Sequence, residues 1–396
     1  MRTSDYKTKS LIKDWKMPKI NGNNQFLNRI IVAIDGGYSS IKAMTNSKIA
    51  LFPSFAKKID NNSFNVVAQL KDTAIIMTDN ITKETWAIGE LAEELIDSKD
   101  TSSITDTSLY TRYHLQNPIY KATMTAGITI CLMDMDLNKT EIFIQTGLPC
   151  EYIEDADELK DVLAGHYDIT IQVGNNKPKR VIYDLDKEKH IDVMEQPKGT
   201  MLSAVYDNHG NPIKERVPIL SSTVLIDDIG FGTEDLFSLK AGGNNRQDTY
   251  SDTAMKSVFE NTIKNINDKK HTHFKIFELQ KYLEDGEIPI FVRGKNGIRP
   301  YVEKFNFGKL LENNNKALCE QSINRILDEY DNLIDYKYFI VTGGTGESRY
   351  NMIKDLLDGL SIMVIKGNEN APELPFVFSN VRGYYMALYL KVLHQG

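Results

Sequence analysis

Residues 29–42 read RIIVAIDGGYSSIK, and residues 222–235 read STVLIDDIGFGTED. Each stretch is an apolar run that ends in a carboxylate and enters a glycine turn. Aligned on Asp35 and Asp228, both copies read aspartate, any residue, glycine, aromatic, small, hydroxyl, any residue, charge. A continuous apolar run without alternation predicts a strand buried on both faces. After the first turn come IKAMT and KIALFPS, short strands with a turn at Asn46–Ser47; after the second comes another apolar strand, DLFSLK. The two copies lie 193 residues apart, about half of the 396-residue chain. The economical explanation is two similar α/β domains, each contributing one hairpin to a shared cleft.

The remaining pattern supports α/β architecture. IYKATMTAGITICLM (119–133) predicts a buried helix and EIFIQTGLP (141–149) the strand after it. DITIQV, KRVIYDL and KHIDVM predict further strands, with a turn over Gly174–Pro178. Helical patterns dominate 252–333. YFIVTGGTG predicts a strand entering a glycine turn, SRYNMIKDLLDGL a helix after it, SIMVI a strand, and SNVRGYYMALYLKVL a closing helix. Strands and helices alternate through both halves.

Composition restricts the function. With 41% apolar and 26% charged residues the chain reads as globular. Its formal net charge is −7, but residues 1–29 carry seven Lys/Arg against two Asp. Residues 30–396 therefore hold 40 basic and 52 acidic side chains, which argues against direct DNA binding by the body. No apolar stretch predicts a membrane span, and MRTSDYKTKSLIKDWK has no signal core, so a cytoplasmic protein is expected. Cys131, Cys150 and Cys319 have neither disulfide-framework nor zinc spacing. Residues 1–29 read as a basic mobile tail; alternatively Trp15 with Leu11, Ile12 and Met17 makes a basic amphipathic patch for lipid or a partner.

The repeat suits phosphate chemistry. Gly37, Gly230 and Gly232 permit positive φ and close backbone approach, and successive N–H groups in such turns form an anion nest. Lys42 adds a point charge. Asp35 and Asp228 at the strand ends can hold Mg²⁺ through water, and two carboxylates facing a polyphosphate need a cation between them. Ordinary hairpins also place Gly and Asp in turns, so the pairing of the two copies carries more weight than either alone. A third element, Val341-Thr342-Gly343-Gly344-Thr345-Gly346, joins a strand to a helix. It offers N–H donors at a helix start, or is simply a tight turn. It is not a dinucleotide fingerprint, because Arg349 stands where the last glycine belongs, and no P-loop sequence occurs.

In this order the three elements resemble the two phosphate motifs and the adenosine motif of the actin/Hsp70/sugar-kinase superfamily. The resemblance covers residues 30–396. Within the superfamily the chain looks most like the bacterial actin-like plasmid-segregation proteins of the ParM/StbA group. Thr146-Gly147-Leu148-Pro149, Gln196-Pro197-Lys198-Gly199 and Asn380-Val381-Arg382-Gly383-Tyr384-Tyr385 carry that likeness. The second phosphate motif departs from the usual pattern in having Asp227-Asp228 followed by Ile229.

The resemblance implies an actin-like ATPase fold: two related, ribonuclease H-like α/β domains around a nucleotide cleft. Domain I would comprise 30–221 plus 376–396 and domain II 222–375. ATP and Mg²⁺ would be the cofactors. Gly37, Tyr38, Ser39, Lys42, Gly230, Phe231, Gly232, Thr233, Gly343, Gly344, Thr345 and Asn380 would bind nucleotide. Asp35 and Asp228 would hold Mg²⁺ through water, with Asp228 also catalytic, and Gln196 or its neighbour Glu195 would orient the attacking water. A carboxylate could act as base, whereas an amide only positions water. Asn380 equally suits a helix N-cap. The implied function is a filament-forming ATPase that segregates plasmid DNA. Its partners would be copies of itself and a DNA-binding adaptor on a plasmid centromere. The alternatives are a small-molecule kinase of the same fold, which shows no distinct substrate motif here, and a cell-shape or division filament, for which only 7–17 could anchor a membrane. An Hsp70-like chaperone is not expected, because the sequence as given ends with the last cleft helix.

Overall fold

The computed structural model describes residues 2–18, 28–59, 70–95, 115–241, 243–293 and 299–394. The chain divides into two compact units. The first is Thr8–Leu220 with Gly367–Gly396, the second Met1–Lys7 with Ser221–Lys366. The expected outward boundary lay one residue away, at 221/222, and the expected return at 375/376.

The first unit is built on β1 (Leu11–Asp14), β2 (Asn28–Gly36), β3 (Ser40–Met44), β4 (Lys48–Pro53), β5 (Ala56–Lys58), β6 (Ile75–Asp79), β7 (Thr85–Ile88), β8 (Thr140–Leu148), β9 (Gly165–Val173), β10 (Lys179–Leu185) and β11 (Ile191–Glu195). A six-stranded sheet has the order β1-β4-β3-β2-β8-β11, and a five-stranded sheet the order β10-β9-β6-β7-β5. β2 pairs antiparallel with β3 and parallel with β8, and β8 pairs parallel with β11. Residues 30–35 of β2 are all buried, which explains the unbroken apolar run. One cover is the Pro118–Leu132 helix, opened by Asn117, whose side chain accepts the Ile119 N–H at 2.9 Å. Twelve of its residues are buried, so it shows no polar face. The opposite cover includes the Ser379–His394 helix, whose Val381, Tyr384, Tyr385 and Leu388 pack with Ile31 and Ala33.

The second unit repeats this plan. It contains β12 (Thr223–Ile229), β13 (Glu234–Lys240), β14 (Gly243–Tyr250), β15 (Glu287–Val292), β16 (Tyr301–Asn306), β17 (Tyr338–Thr342) and β18 (Met363–Lys366). Its main sheet runs β14-β13-β12-β17-β18. That is the order of β4-β3-β2-β8-β11, with the same change from antiparallel to parallel pairing after the central strand. The helices Met255–Lys270, Gly308–Glu329 and Gly344–Leu356 accompany it.

Helix dominates residues 252–333 as expected, but β15 and β16 form a hairpin within them that was not expected. Ile288 and Ile290 alternate along β15, one face buried, a two-residue period that the short run EIPIFV displays weakly. One expectation is corrected: residues 2–18 are not a mobile tail. Thr3–Tyr6 form a short 3₁₀ turn in the second unit. Leu11–Asp14 form β1, antiparallel to β4, and the N–H groups of Trp15 and Met17 reach the carbonyls of Ser47 and Asn46 at 2.8 and 2.9 Å. Met17 is buried, Leu11 and Trp15 pack against the same cluster, and Ile12 packs on the other face. Backbone pairing along an open sheet edge needs no sustained apolar period, so the sequence pattern did not announce it. The NGNNQ stretch, residues 21–25, lies outside the described residues.

Candidate functional site

The two repeat copies have the same local geometry. In the first unit β2 and β3 place Asp35 directly across from Lys42, and in the second β12 and β13 place Asp228 across from Asp235. The Gly37 N–H donates to the Ser40 carbonyl at 3.1 Å, and the Gly230 N–H to the Thr233 carbonyl at 2.8 Å. These bonds join equivalent atoms 193 positions apart, so the repeat extends to the closing bond of each turn.

In the first unit two side chains, one from the same hairpin and one from far along the chain, meet on one carboxylate. The Lys42 Nζ donates to Asp35 Oδ2 at 3.0 Å, and the Gln196 Nε2 to Asp35 Oδ1 at 3.3 Å. Asp35 and Lys42 are buried and Gln196 is half-buried. Tyr38 and Ser39 occupy the turn itself, half-buried; the Ser54 N–H donates to the Ser39 carbonyl at 3.1 Å and the Ser54 hydroxyl to the Gly37 carbonyl at 2.7 Å. Glu195 points elsewhere: it pairs with Lys198. Asn380 is buried inside the last helix rather than capping it, and its side-chain oxygen accepts the Thr200 hydroxyl.

Gln196 is held in place by a helix crossing with almost no clearance. The Gln196–Val205 helix follows β11 and lies against the Ser379–His394 helix. A Cβ built on Gly383 would lie 1.7 Å from the Gly199 carbonyl oxygen. The Tyr384 ring occupies the space that side chains on Gly147 and Gly199 would need, at 2.1 Å from its Oη and 2.6 Å from its Cε1 respectively. Thus the TGLP, QPKG and NVRGYY segments form one packing point. Arg382, fully buried, closes the far end of the Gln196 helix. Its guanidinium donates to the Ser203 carbonyl at 2.6 Å, the Tyr206 carbonyl at 2.8 Å and Asn208 Oδ1 at 2.9 Å. Burial brings its pKa down to about 10.

In the second unit, parallel pairing sets Asp228 beside Thr342 at the ends of β12 and β17. Gly343 follows with φ 81°, and a Cβ there would lie 2.7 Å from Asp228 Oδ1 and 2.3 Å from the Ile229 carbonyl oxygen. Only glycine meets both demands. Gly37, Gly230 and Gly232 are not among the positive-φ glycines, so these turns do not use the positive φ that glycine permits. A Cβ on Gly37 would lie 2.6 Å from the Lys42 ammonium, the movable end of a flexible side chain, and 3.2 Å from the Ser40 carbonyl oxygen. The helix expected after the third glycine element begins inside it, at Gly344, with Gly343 as its N-cap residue. The Thr345 hydroxyl donates to the Gly230 carbonyl at 2.7 Å, tying the third element to the second turn. Phe231 leaves the turn to pack edge-to-face on Phe259, centroids 5.8 Å apart. Thr233 donates to Asp235 at 2.8 Å, Gly232 lies between Phe231 and Thr233, and Gly344 is exposed.

Sequence reasoning missed Glu234, Asn315 and Arg349, all buried behind this turn. Arg349 was visible only as a departure from a glycine pattern. Burial and the nearby Glu234 carboxylate push the Asp227 carboxyl well above the usual range. Asp227 thus faces the interior while Asp228 remains half-exposed, which separates the two adjacent aspartates chemically.

Residues 33–199 match the family model described as the actin like proteins N terminal domain. No curated protein matches the chain. Among solved structures, a non-polymerisable quadruple mutant of pCBH ParM is similar at TM-score 0.67 and 21% identity, covering 92% of this chain and 100% of that one. A 15-stranded ParM filament from Clostridium botulinum is similar at TM-score 0.64 and 20% identity, over 92% and 99% of the two chains. An archaeal actin homolog, Ta0583, in complex with ADP, is similar at TM-score 0.61 and 11% identity, over 91% and 99%.

Proposed function

We propose that this protein, whose residues 33–199 match the actin-like N-terminal domain model and whose fold is actin-like, binds and hydrolyses ATP with Mg²⁺ and assembles into filaments that move plasmid DNA. The observation that carries the chemistry is the convergence of Lys42 and Gln196 on Asp35. A buried carboxylate held by a lysine and an amide suits a group that exchanges those partners for metal-bound water. On this reading Lys42 turns to a phosphate oxygen, and Gln196 orients the attacking water as an amide can, without taking its proton. Asp35 and Asp228 would hold Mg²⁺ through its waters, and the metal would neutralise polyphosphate charge. Space supports the fit at the second turn: a Cβ at Gly343 would collide with the Ile229 carbonyl and with Asp228, so the backbone stays open beside a charged group. Since the Gly37 and Gly230 N–H groups close their own turns, phosphate would be met by the amides between them.

Self-assembly is supported by the filament-forming structures that share the fold. A membrane-tethered filament is less well supported. Leu11, Ile12, Trp15 and Met17, the only anchor candidates in the sequence, pack against the first unit's core clusters. No helix among the described residues is long and apolar enough to cross a membrane. The adaptor and the DNA cargo follow from family likeness and the acidic body.

Sedimentation with ATP, ADP and no nucleotide tests the proposal, alongside phosphate release. ATP-dependent pelleting is expected. Asp228→Ala is expected to stop Mg²⁺-dependent turnover, and Gln196→Ala to slow it while ATP still binds. ATP binding without pelleting at any concentration would favour phosphoryl transfer to a small hydroxyl compound. Normal turnover in both variants would overturn the site assignment.

A further inference from the structure

A chain of buried and half-buried polar contacts connects the N-terminal turn to the second phosphate turn. Glu234 opens β13 immediately after that turn, fully buried. Its Oε1 accepts the Ser322 hydroxyl, and its Oε2 lies 3.8 Å from the Nη1 of the equally buried Arg349. The Arg349 Nε donates to Asn315 Oδ1 at 2.8 Å. The Asn315 Nδ2 donates to the Tyr6 hydroxyl at 3.3 Å, with a longer contact to Ser348 Oγ at 3.5 Å. Among the described residues Glu234 Oε2 and Arg349 Nη1 and Nη2 have no hydrogen-bond partner.

A buried ion pair with unfilled hydrogen-bonding capacity is poor at stabilising a fold. What it does supply is geometry. Glu234 stands on the phosphate hairpin, and Arg349 on the helix whose Thr345 holds the Gly230 carbonyl. We propose that Tyr6 is a positioning residue of the nucleotide site: by fixing the Asn315 amide it aims Arg349 at Glu234 and so sets the second phosphate turn. The proposal rests on the nucleotide reading above. Asn315 is the hinge, since its two ends serve different partners. Without the phenol oxygen its Nδ2 keeps only the 3.5 Å contact to Ser348, and its Oδ1 is free to leave Arg349.

Tyr6→Phe tests this, because it removes one oxygen and keeps the ring. Mg²⁺·ATP affinity is expected to weaken about two- to tenfold, the worth of one hydrogen bond, with the melting temperature lowered by no more than about a few degrees. In an Arg349→Met background the same change is expected to do nothing, since the contact it acts through is gone. Asn315→Leu provides the second background where Arg349→Met does not fold. Amide exchange across 229–235 in nucleotide-free protein is expected to quicken in Tyr6→Phe. Unchanged affinity and exchange, or effects additive with Arg349→Met, would overturn the proposal. A wild-type protein that fails to bind Mg²⁺·ATP would instead remove the functional reading, and the exchange measurement would still decide whether Tyr6 holds the turn.

Discussion

Gly383→Ala places a methyl group where the structure has no room. The added carbon would sit 1.7 Å from the Gly199 carbonyl oxygen, 2.4 Å from its carbon and 2.7 Å from its Cα. All three are backbone atoms, so no rotamer change relieves the overlap. Ordinary carbon–oxygen contact is about 3.3 Å, so the two helices must separate by about 1.6 Å. Overpacking of this kind costs about 1–3 kcal/mol, which lowers Tm by about 2–12 °C for a unit of this size. The same displacement reaches Gln196, three residues before Gly199 on the same helix. Its bond to Asp35 is already 3.3 Å and does not survive such a shift. Misplacing a water-orienting group by about 1 Å costs on the order of 10²-fold in rate. Gly383→Ala is therefore expected to melt several degrees lower and to turn ATP over roughly a hundredfold more slowly. Differential scanning fluorimetry and phosphate release measure the two effects. Gly308→Ala is the control, because its nearest contacts are ordinary at 3.4 and 3.5 Å and alanine favours a helix. A Gly383→Ala protein with wild-type Tm and turnover would show that the close crossing does not exist in solution, and the account of how Gln196 is held would fall with it.

Deleting residues 1–17 is expected to lower stability and promote aggregation, because it removes Met17 and Leu11 from the core and bares the β4 edge. Light scattering on this deletion, compared with one lacking only 1–7, checks that; equal behaviour would mean that β1 contributes nothing. Arg180 and then Asn80, bonded at 2.7 and 2.8 Å, hold the Asp168 carboxyl well below the usual range. A depressed folded-state pKa gives stability that is present above the unfolded value of about 4 and lost as pH falls towards the folded one. Melting temperature should thus fall less steeply between about pH 5 and 2 in Asp168→Asn than in wild type, and parallel curves would reject the pair's role.

The sequence by itself determined the two repeated halves of the molecule and the glycine hairpin within each. Buried central strands must be apolar on both faces, and a tight hairpin keeps Gly, Asp and a hydroxyl at short range. Both are local requirements, so Asp35, Lys42, Asp228 and the Gly343 turn were legible. Tertiary structure decided what depends on contacts between distant segments. Gln196 and Glu195 are neighbours in sequence, and only the end of β11 and the crossing at Gly199 and Gly383 turn the amide to Asp35 and leave the carboxylate with Lys198. The N-terminal segment gains its strand from β4's open edge, because backbone pairing leaves almost no mark on side-chain choice. Glu234, Asn315 and Arg349 read as surface residues by type, and only burial beside one another makes them a network.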